Sequence, residues 1–250
     1  TIRFMVNHEP PLEQYDNALG GEKRIIHSLP PMIAIPTTAG TGSEVGRSSV
    51  ITLNSTGKKT VFFHPGLMPD IAVLDPELTF GLPPAITAAT GMDAFTHCYE
   101  AYIVDGFHPM ADSIALKGME VIIKNLPVAV KKSKNTTARG NMLIAASMGA
   151  TAFQKGLGMT HSMAHPLSGE FGLHHGLANA LLLPESVELT WEKSDNNDKL
   201  NEKLNTVSKL FVGVSDGSNL SSQLKKFILD LGIIPGLKIH GISEKDIPGL

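Results

Sequence analysis

The sequence predicts an α/β segment that ends near residue 80, followed by an all-helical domain. Two observations carry this. Before that point the apolar residues fall in short runs bounded by Gly, Pro, Asn or Asp, the pattern of strands and turns. From Ala85 onward they recur at a helical period over long stretches. The change of character falls at the Gly-Leu-Pro-Pro of residues 81–84.

The strand candidates are residues 32–36, 49–53, 60–63 and 70–74. Their near-continuous hydrophobicity suits strands covered on both faces, as in an α/β sheet. Pro65, Pro69 and Pro76 punctuate the connections. The helical segments are 85–104, 109–124, 136–154, 160–171, 175–192, 198–212 and 218–231. Pro127, Gly156, Gly158, Pro184 and Pro235 with Gly236 separate or kink them. No internal repeat or low-complexity segment is present. The chain opens inside an apolar pattern without a Met, and Ser243 with Asp246 forms a capping-box pattern four residues before it stops. Together these read as a fragment of a longer protein.

At 250 residues and 42% hydrophobic, the chain has room for one large or two ordinary domains with sizeable cores. A net charge of −3 gives no electrostatic footprint for nucleic acid or an anionic membrane. Lys131, Lys132 and Lys134 read as a solvated helix end. The single cysteine, Cys98, cannot form an internal disulfide and suits a reducing cytoplasm; it reads as a small buried apolar residue. No apolar run approaches the roughly 18 residues that a membrane helix needs, and no charged-then-apolar leader stands at the amino end.

Three stretches carry chemistry. In Gly-Met-Asp-Ala-Phe-Thr-His, Asp93 and His97 stand four apart, adjacent on one helix face. Such a pair is more often a surface ion pair, but Ala94, Phe95 and Cys98 surround it with apolar side chains, and unpaired burial is expensive. A carboxylate and an imidazole so placed can share a divalent metal. Next, His161, His165, His174 and His175 are four of the chain's ten histidines. His161 and His165 again have i, i+4 spacing, and no His-Glu-x-x-His motif supplies a protease general base. Two of these four with Asp93 and His97 would give three nitrogens and one oxygen, suited to Fe(II), Zn(II), Co(II) or Mn(II). The others would be free for proton transfer near neutral pH. Third, in Ala-Ile-Pro-Thr-Thr-Ala-Gly-Thr-Gly-Ser-Glu-Val (34–45) a short strand runs into hydroxyls and glycines that would let the backbone approach a phosphate or ribose. A plain Gly/Ser/Thr turn has the same composition. Lys59 would add a cation, although such lysines are commonly solvated.

With these stretches in order, the sequence resembles the iron-containing (group III) alcohol dehydrogenases. The motifs that carry the likeness are Ile-Pro-Thr-Thr-Ala-Gly-Thr-Gly-Ser-Glu-Val, the segment 69–102, and residues 161–184. The resemblance implies the C-terminal part of a Rossmann-like nucleotide-binding domain over residues 1–80. An all-helical metal-binding domain over 81–250 would follow, in a dehydroquinate synthase-like architecture. It implies Asp93, His97, His161 and His175 as metal ligands, with the following Gly176 selecting His175 over His174. It implies His165 as the proton carrier, and Thr37, Thr38, Thr41 and Lys59 as contacts of NAD or NADP. The expected activity is reversible hydride transfer between a small alcohol and NAD(P), with Fe(II), or alternatively Zn(II), in a cytoplasmic homodimer or larger homo-oligomer. The family's pyrophosphate loop would lie upstream of residue 1. The alternative is therefore a truncated, catalytically inactive metal-binding or oligomerising fragment. Glycerol dehydrogenase and maleylacetate reductase are relatives of the same fold with different chemistry.

Overall fold

A computed structural model describes residues 1–57, 59–194, 197–213 and 216–247. The chain forms two compact units, one of Thr1–Pro36 with Ser43–Leu74, the other of Thr37–Gly42 with Asp75–Leu250.

Among its described residues the first unit contains a short helix, α1 (Ile2–Met5), and four strands: β1 (Ile33–Ala34), β2 (Ser48–Thr52), β3 (Lys59–Phe63) and β4 (Ile71–Ala72). β1 pairs with β4 in parallel, and β2 with β3 antiparallel, with Val50 opposite Val61. Its core is small and aromatic. Phe4 meets Phe62 and Tyr15 with ring centroids 5.3 and 5.2 Å apart, and Ile25, Leu53 and Leu67 close around them. Arg3 ties the unit's ends together, donating to the carbonyls of Pro30 and Met68 and to the Asp70 carboxylate.

Strands covered on both faces are not what this unit contains. Ile33 is 60% exposed, Ile71 54% and Val50 51%. The β2–β3 ladder is two-sided instead: along β3, Thr60 and Phe62 turn inward while Lys59 and Val61 face out. Side chains alternate along a pleated strand, so Thr60 and Phe62 share the buried face and Phe62 is its apolar anchor. The continuous apolar run in the sequence does not distinguish this from full burial.

The second unit is helical: α2 (Pro84–Ile103), α3 (Pro109–Lys131), α4 (Thr136–Ala152), α5 (Met159–Glu170), α6 (His175–Glu192), α7 (Asp198–Val212) and α8 (Leu220–Asp230). The starts are written in the sequence. Pro84 and Pro109 sit in first turns, where a missing N–H costs nothing. Asn135 and Asn197 accept from the backbone N–H of Ala138 and Leu200 as N-caps. Gly213, in the left-handed conformation at φ 72°, ends α7. Two prolines expected to separate or kink helices lie inside them. α3 runs through Pro127 because Leu126 and Ala129 on either side are fully buried, and α6 runs through Pro184, itself buried. Packing of such residues, roughly 2 kcal/mol for each large apolar side chain, offsets the hydrogen bond a proline removes. α3 therefore reaches Lys131 rather than ending at 124, and Lys131 becomes its basic last turn.

α2 is the axis of this unit. Every residue from Gly91 to Ala101 is buried, the polar Asp93, Thr96, His97 and Glu100 included. It packs against α3, α4 and α6, and glycines make the approach possible. A Cβ on Gly118 of α3 would stand 2.6 Å from the Cys98 sulfur, one on Gly149 of α4 3.2 Å from the Ala94 carbonyl, and one on Gly176 of α6 2.2 Å from the Ala89 carbonyl.

The unit boundary differs from the expected 80/81 division. It falls between Leu74 and Asp75 because the turn Pro76–Thr79 packs on α4. The segment Thr37–Gly42, expected in the α/β part, groups with the helices. Gly40 lies against Thr90 of α2, where a Cβ would be tight at 3.1 Å, and Gly42, at φ 63°, against Ala146 and Ala150 of α4, where a Cβ would collide with the Ala146 carbonyl at 2.4 Å.

Candidate metal centre

Two turns of α2 present Asp93, His97 and Glu100 toward α5 and α6. Asp93 and His97 are adjacent because four residues make about one helical turn. Glu100 falls on the same side because seven make about two. One ligand atom each from Asp93, His97 and His161 lies within 4.8 Å of the others, and all three residues are buried. His97 Nδ1 is 3.9 Å from one Asp93 oxygen, and His161 Nε2 is 3.7 Å from the other. The His97 and His161 rings stack at 4.4 Å, and Phe153 packs tilted against His97 at 4.9 Å.

His175, at the start of α6, stands just outside this group of three. Its Nε2 lies 3.6 Å from the same Asp93 oxygen that faces His161, and its side chain is 27% exposed. His165, one turn after His161 on α5, is exposed and stacks on His175 at 5.1 Å with an 18° interplanar angle. His174 precedes α6 and is exposed. The histidine cluster therefore divides into a buried ring on Asp93, a partly exposed neighbour and an outer ring stacked on that neighbour.

The sequence reading of the site did not include two polar residues that hold it. Asn179 is fully buried, and its Nδ2 lies 2.7 Å from Asp93, 3.2 Å from His161 Nε2 and 3.3 Å from His175 Nε2. Glu100, 1% exposed, accepts from the backbone N–H of Thr160 at 2.6 Å and from His161 Nδ1 at 2.6 Å. The signals were present: Asn179 is four residues after His175, and Glu100 seven after Asp93.

The electrostatics suit a cation. Burial alone would raise the Asp93 carboxyl, but His97, His161 and His175 outweigh it and hold it well below the carboxylate range. Burial pushes His97 down to about 4, against the pull of Asp93, so it is neutral at physiological pH. Burial also lowers His161, but hydrogen bonds to Asp93 and Glu100 reverse this and raise it. Of the buried side-chain polar atoms without a hydrogen-bond partner among the described residues, two belong to this site, His97 Nδ1 and Asn179 Oδ1. An Asn amide has only two hydrogens, and Asn179 Nδ2 is crowded by Asp93 Oδ1 and by the Nε2 atoms of His161 and His175. An orphaned imidazole nitrogen, an anionic carboxylate and an amide set against two imidazole nitrogens are what a divalent cation bound among these side chains would relieve.

The residues expected to contact a dinucleotide are divided between the units. Thr37, Thr38 and Thr41 are exposed on the loop that packs on α2 and α4, whereas Lys59 opens β3 in the other unit, exposed and opposite Thr52.

A helical unit built around a buried carboxylate ringed by imidazoles defines a class of divalent-metal proteins with mixed nitrogen and oxygen donors. The particular family follows from comparison. Residues 87–250 match the Fe-containing alcohol dehydrogenase family, C-terminal, and residues 1–76 match iron-containing alcohol dehydrogenase; the chain belongs to this family. It is 39% identical to a 4-hydroxybutyrate dehydrogenase of Cupriavidus necator, over 97% of this chain and 64% of that protein. It is 36% identical to a 1,3-propanediol dehydrogenase of Klebsiella pneumoniae, over 99% and 63%. Among solved structures, a 1,3-propanediol oxidoreductase superposes with a TM-score of 0.88 at 35% identity, covering 99% of this chain and 64% of its own. Sulfoacetaldehyde reductase from Bifidobacterium kashiwanohense, solved with NAD+, gives 0.82 at 30%, covering 96% and 62%. The chain thus spans just under two thirds of the length of these relatives. Among the described residues, no helix is long and apolar enough to cross a membrane.

Proposed function

We propose that the protein is part of a metal-dependent alcohol dehydrogenase that moves a hydride between a small primary or secondary alcohol and NAD or NADP. The observation that carries this is the buried Asp93–His97–His161 group, with His175 beside it. Asp93, His97, His161 and His175 would hold Fe(II), or alternatively Zn(II). The names of the relatives, 4-hydroxybutyrate and 1,3-propanediol dehydrogenases, support a small alcohol or aldehyde as substrate. Cytoplasmic location and a homodimer or larger assembly belong to the same reading.

A bound metal would supply a Lewis acid for the substrate oxygen, and the nicotinamide the hydride acceptor. The chain's own residues do the rest. Asp93 contributes the negative charge, and neutral His97 a nitrogen donor. Phe153 packs against His97, which is buried from water. His165, exposed and stacked on His175, carries the substrate proton between the site and solvent, a task that suits an imidazole near neutral pH. Thr37, Thr38 and Thr41 offer hydroxyls to the dinucleotide, with Lys59 as a cation for its phosphates.

The test is elemental analysis of anaerobically purified protein, with NAD(H) and NADP(H) titrated into the same sample. About one iron or zinc per chain together with cofactor binding is the expected result. Metal without cofactor binding would assign this chain a metal-holding role alone, and no metal would overturn the ligand assignment.

A further inference from the structure

We infer that Glu100 is the positioning residue of the metal centre: it fixes the ring of His161 so that Nε2, not Nδ1, faces Asp93. The inference rests on the proposed function and goes beyond it, because Glu100 touches neither substrate nor any assigned ligand atom.

The geometry is specific. His161 lies between two carboxylates of one helix. Glu100 Oε2 accepts from His161 Nδ1 at 2.6 Å, and Asp93 Oδ1 lies 3.7 Å from Nε2. The two acids are seven residues apart, so α2 itself sets their separation. Glu100 also accepts from the backbone N–H groups of Thr160 and His161 at 2.6 and 3.2 Å, where α5 begins. Backbone and ring of His161 are therefore both anchored to one carboxylate. Gly158 leaves the space, since a Cβ there would meet Glu100 Oε1 at 3.0 Å. A carboxylate with charge-assisted bonds this short locks an imidazole's tautomer and orientation. A buried glutamate whose only work was to begin a helix would not need the ring contact: Ser or Asp at the start of α5 would do it in water. Putting this charge in the core is costly unless it is fully paired, and the pairing is spent on His161.

Zinc is the probe. The metal-free chain and Glu100→Gln are titrated with Zn(II) against a chromophoric chelator, with circular dichroism as the check of folding. A Gln keeps the shape but cannot accept from Nδ1 and the backbone amides with both ends, so the variant should bind zinc about 10- to 100-fold more weakly. Its Co(II)-substituted form should show a shifted visible spectrum, which a lost helix cap alone would not produce. Should the variant fail to fold, the wild type still decides. Long-range proton–nitrogen NMR of the zinc-loaded, nitrogen-15-histidine protein should show a protonated Nδ1 and a metal-bound Nε2 on His161. Coordination through Nδ1, or an affinity in folded Glu100→Gln within twofold of wild type, would overturn this inference and leave the proposed function standing. Failure of the wild type to bind zinc would overturn both.

Discussion

Asn179 on α6 holds Asp93 on α2 by a hydrogen bond of 2.7 Å between Nδ2 and Oδ1. Both side chains are buried, so the bond fixes which Asp93 oxygen faces His161 and His175. Asn179→Leu keeps the volume and removes the donor. We expect about tenfold weaker zinc binding and a loss of roughly 1–2 kcal/mol in stability of the metal-free protein, read by chelator competition and thermal unfolding. Unchanged affinity would mean that Asn179 only fills space.

The histidines next to each other in sequence should behave differently. His175 reaches within 3.6 Å of Asp93, whereas His174 is exposed and offers its side chain to no α6 cap. His175→Ala should lose metal and activity together, and His174→Ala should keep zinc affinity within about twofold, consistent with an exposed site. The reverse pattern would move the ligand to His174. His165→Ala should keep the metal and slow turnover by about 100-fold, the usual scale for a lost proton carrier.

Asp112 on α3 pairs with two lysines from distant segments, Lys155 at 2.7 Å and Lys203 at 3.1 Å, and these ammonium groups also bond the last carbonyls of α2. Burial alone would raise the Asp112 carboxyl, but the two lysines outweigh it and leave it below its ordinary 3.8. A carboxyl lowered on folding stabilises the protein above its unfolded value and stops doing so as pH falls through the folded one. Asp112→Asn should therefore cost about 2 kcal/mol at neutral pH. Its stability should fall less steeply than that of wild type below pH 3.8. Parallel acid-unfolding curves would refute this.

Gly176 lies where α6 crosses α2, and a Cβ there would stand 3.1 Å from the Asp93 Cβ as well as against the Ala89 carbonyl. Gly176→Ala should destabilise by about 3 kcal/mol, at the upper end for overpacking. It should also weaken metal binding although it removes no donor. A melting temperature within a degree or two of wild type would show that the helices part easily.

The helices were legible because their signals are local. Apolar period, proline in the first turn and Asn caps all lie within one element, so the starts of α3, α4 and α7 could be placed to the residue or nearly so. What failed was whatever depended on a distant partner. Pro127 looks like a break until its buried neighbours Leu126 and Ala129 are known, whereas the expected helix 175–192 runs through Pro184 as α6 does. The apolar runs at Ile33 and Ile71 look like interior strands, yet nothing local says whether both faces are covered. The Thr37–Gly42 segment follows a strand in sequence, but two glycines fasten it to α2 and α4. In the site, Asp93 and His97 announce themselves through i, i+4 spacing. Glu100 shares a helix face with Asp93 seven residues before it, but its meaning comes from His161, far along the chain and brought near by α5. Asn179 stands four after His175, yet its partner Asp93 lies on another helix.

The glycines around α2 bear on how any mutational survey of this protein would read. Three separate helices press a bare backbone against that axis, so a methyl group on any of them shifts the helix bearing Asp93, His97 and Glu100. A scan scored by activity alone would rank Gly118, Gly149 and Gly176 beside the histidines and make the active centre seem larger than it is. Scoring the same library for retained fold as well as metal would divide it into two populations: positions whose loss empties a folded protein, and positions whose loss removes the fold first. The first population measures the chemistry, and the second measures how little slack the sleeve allows.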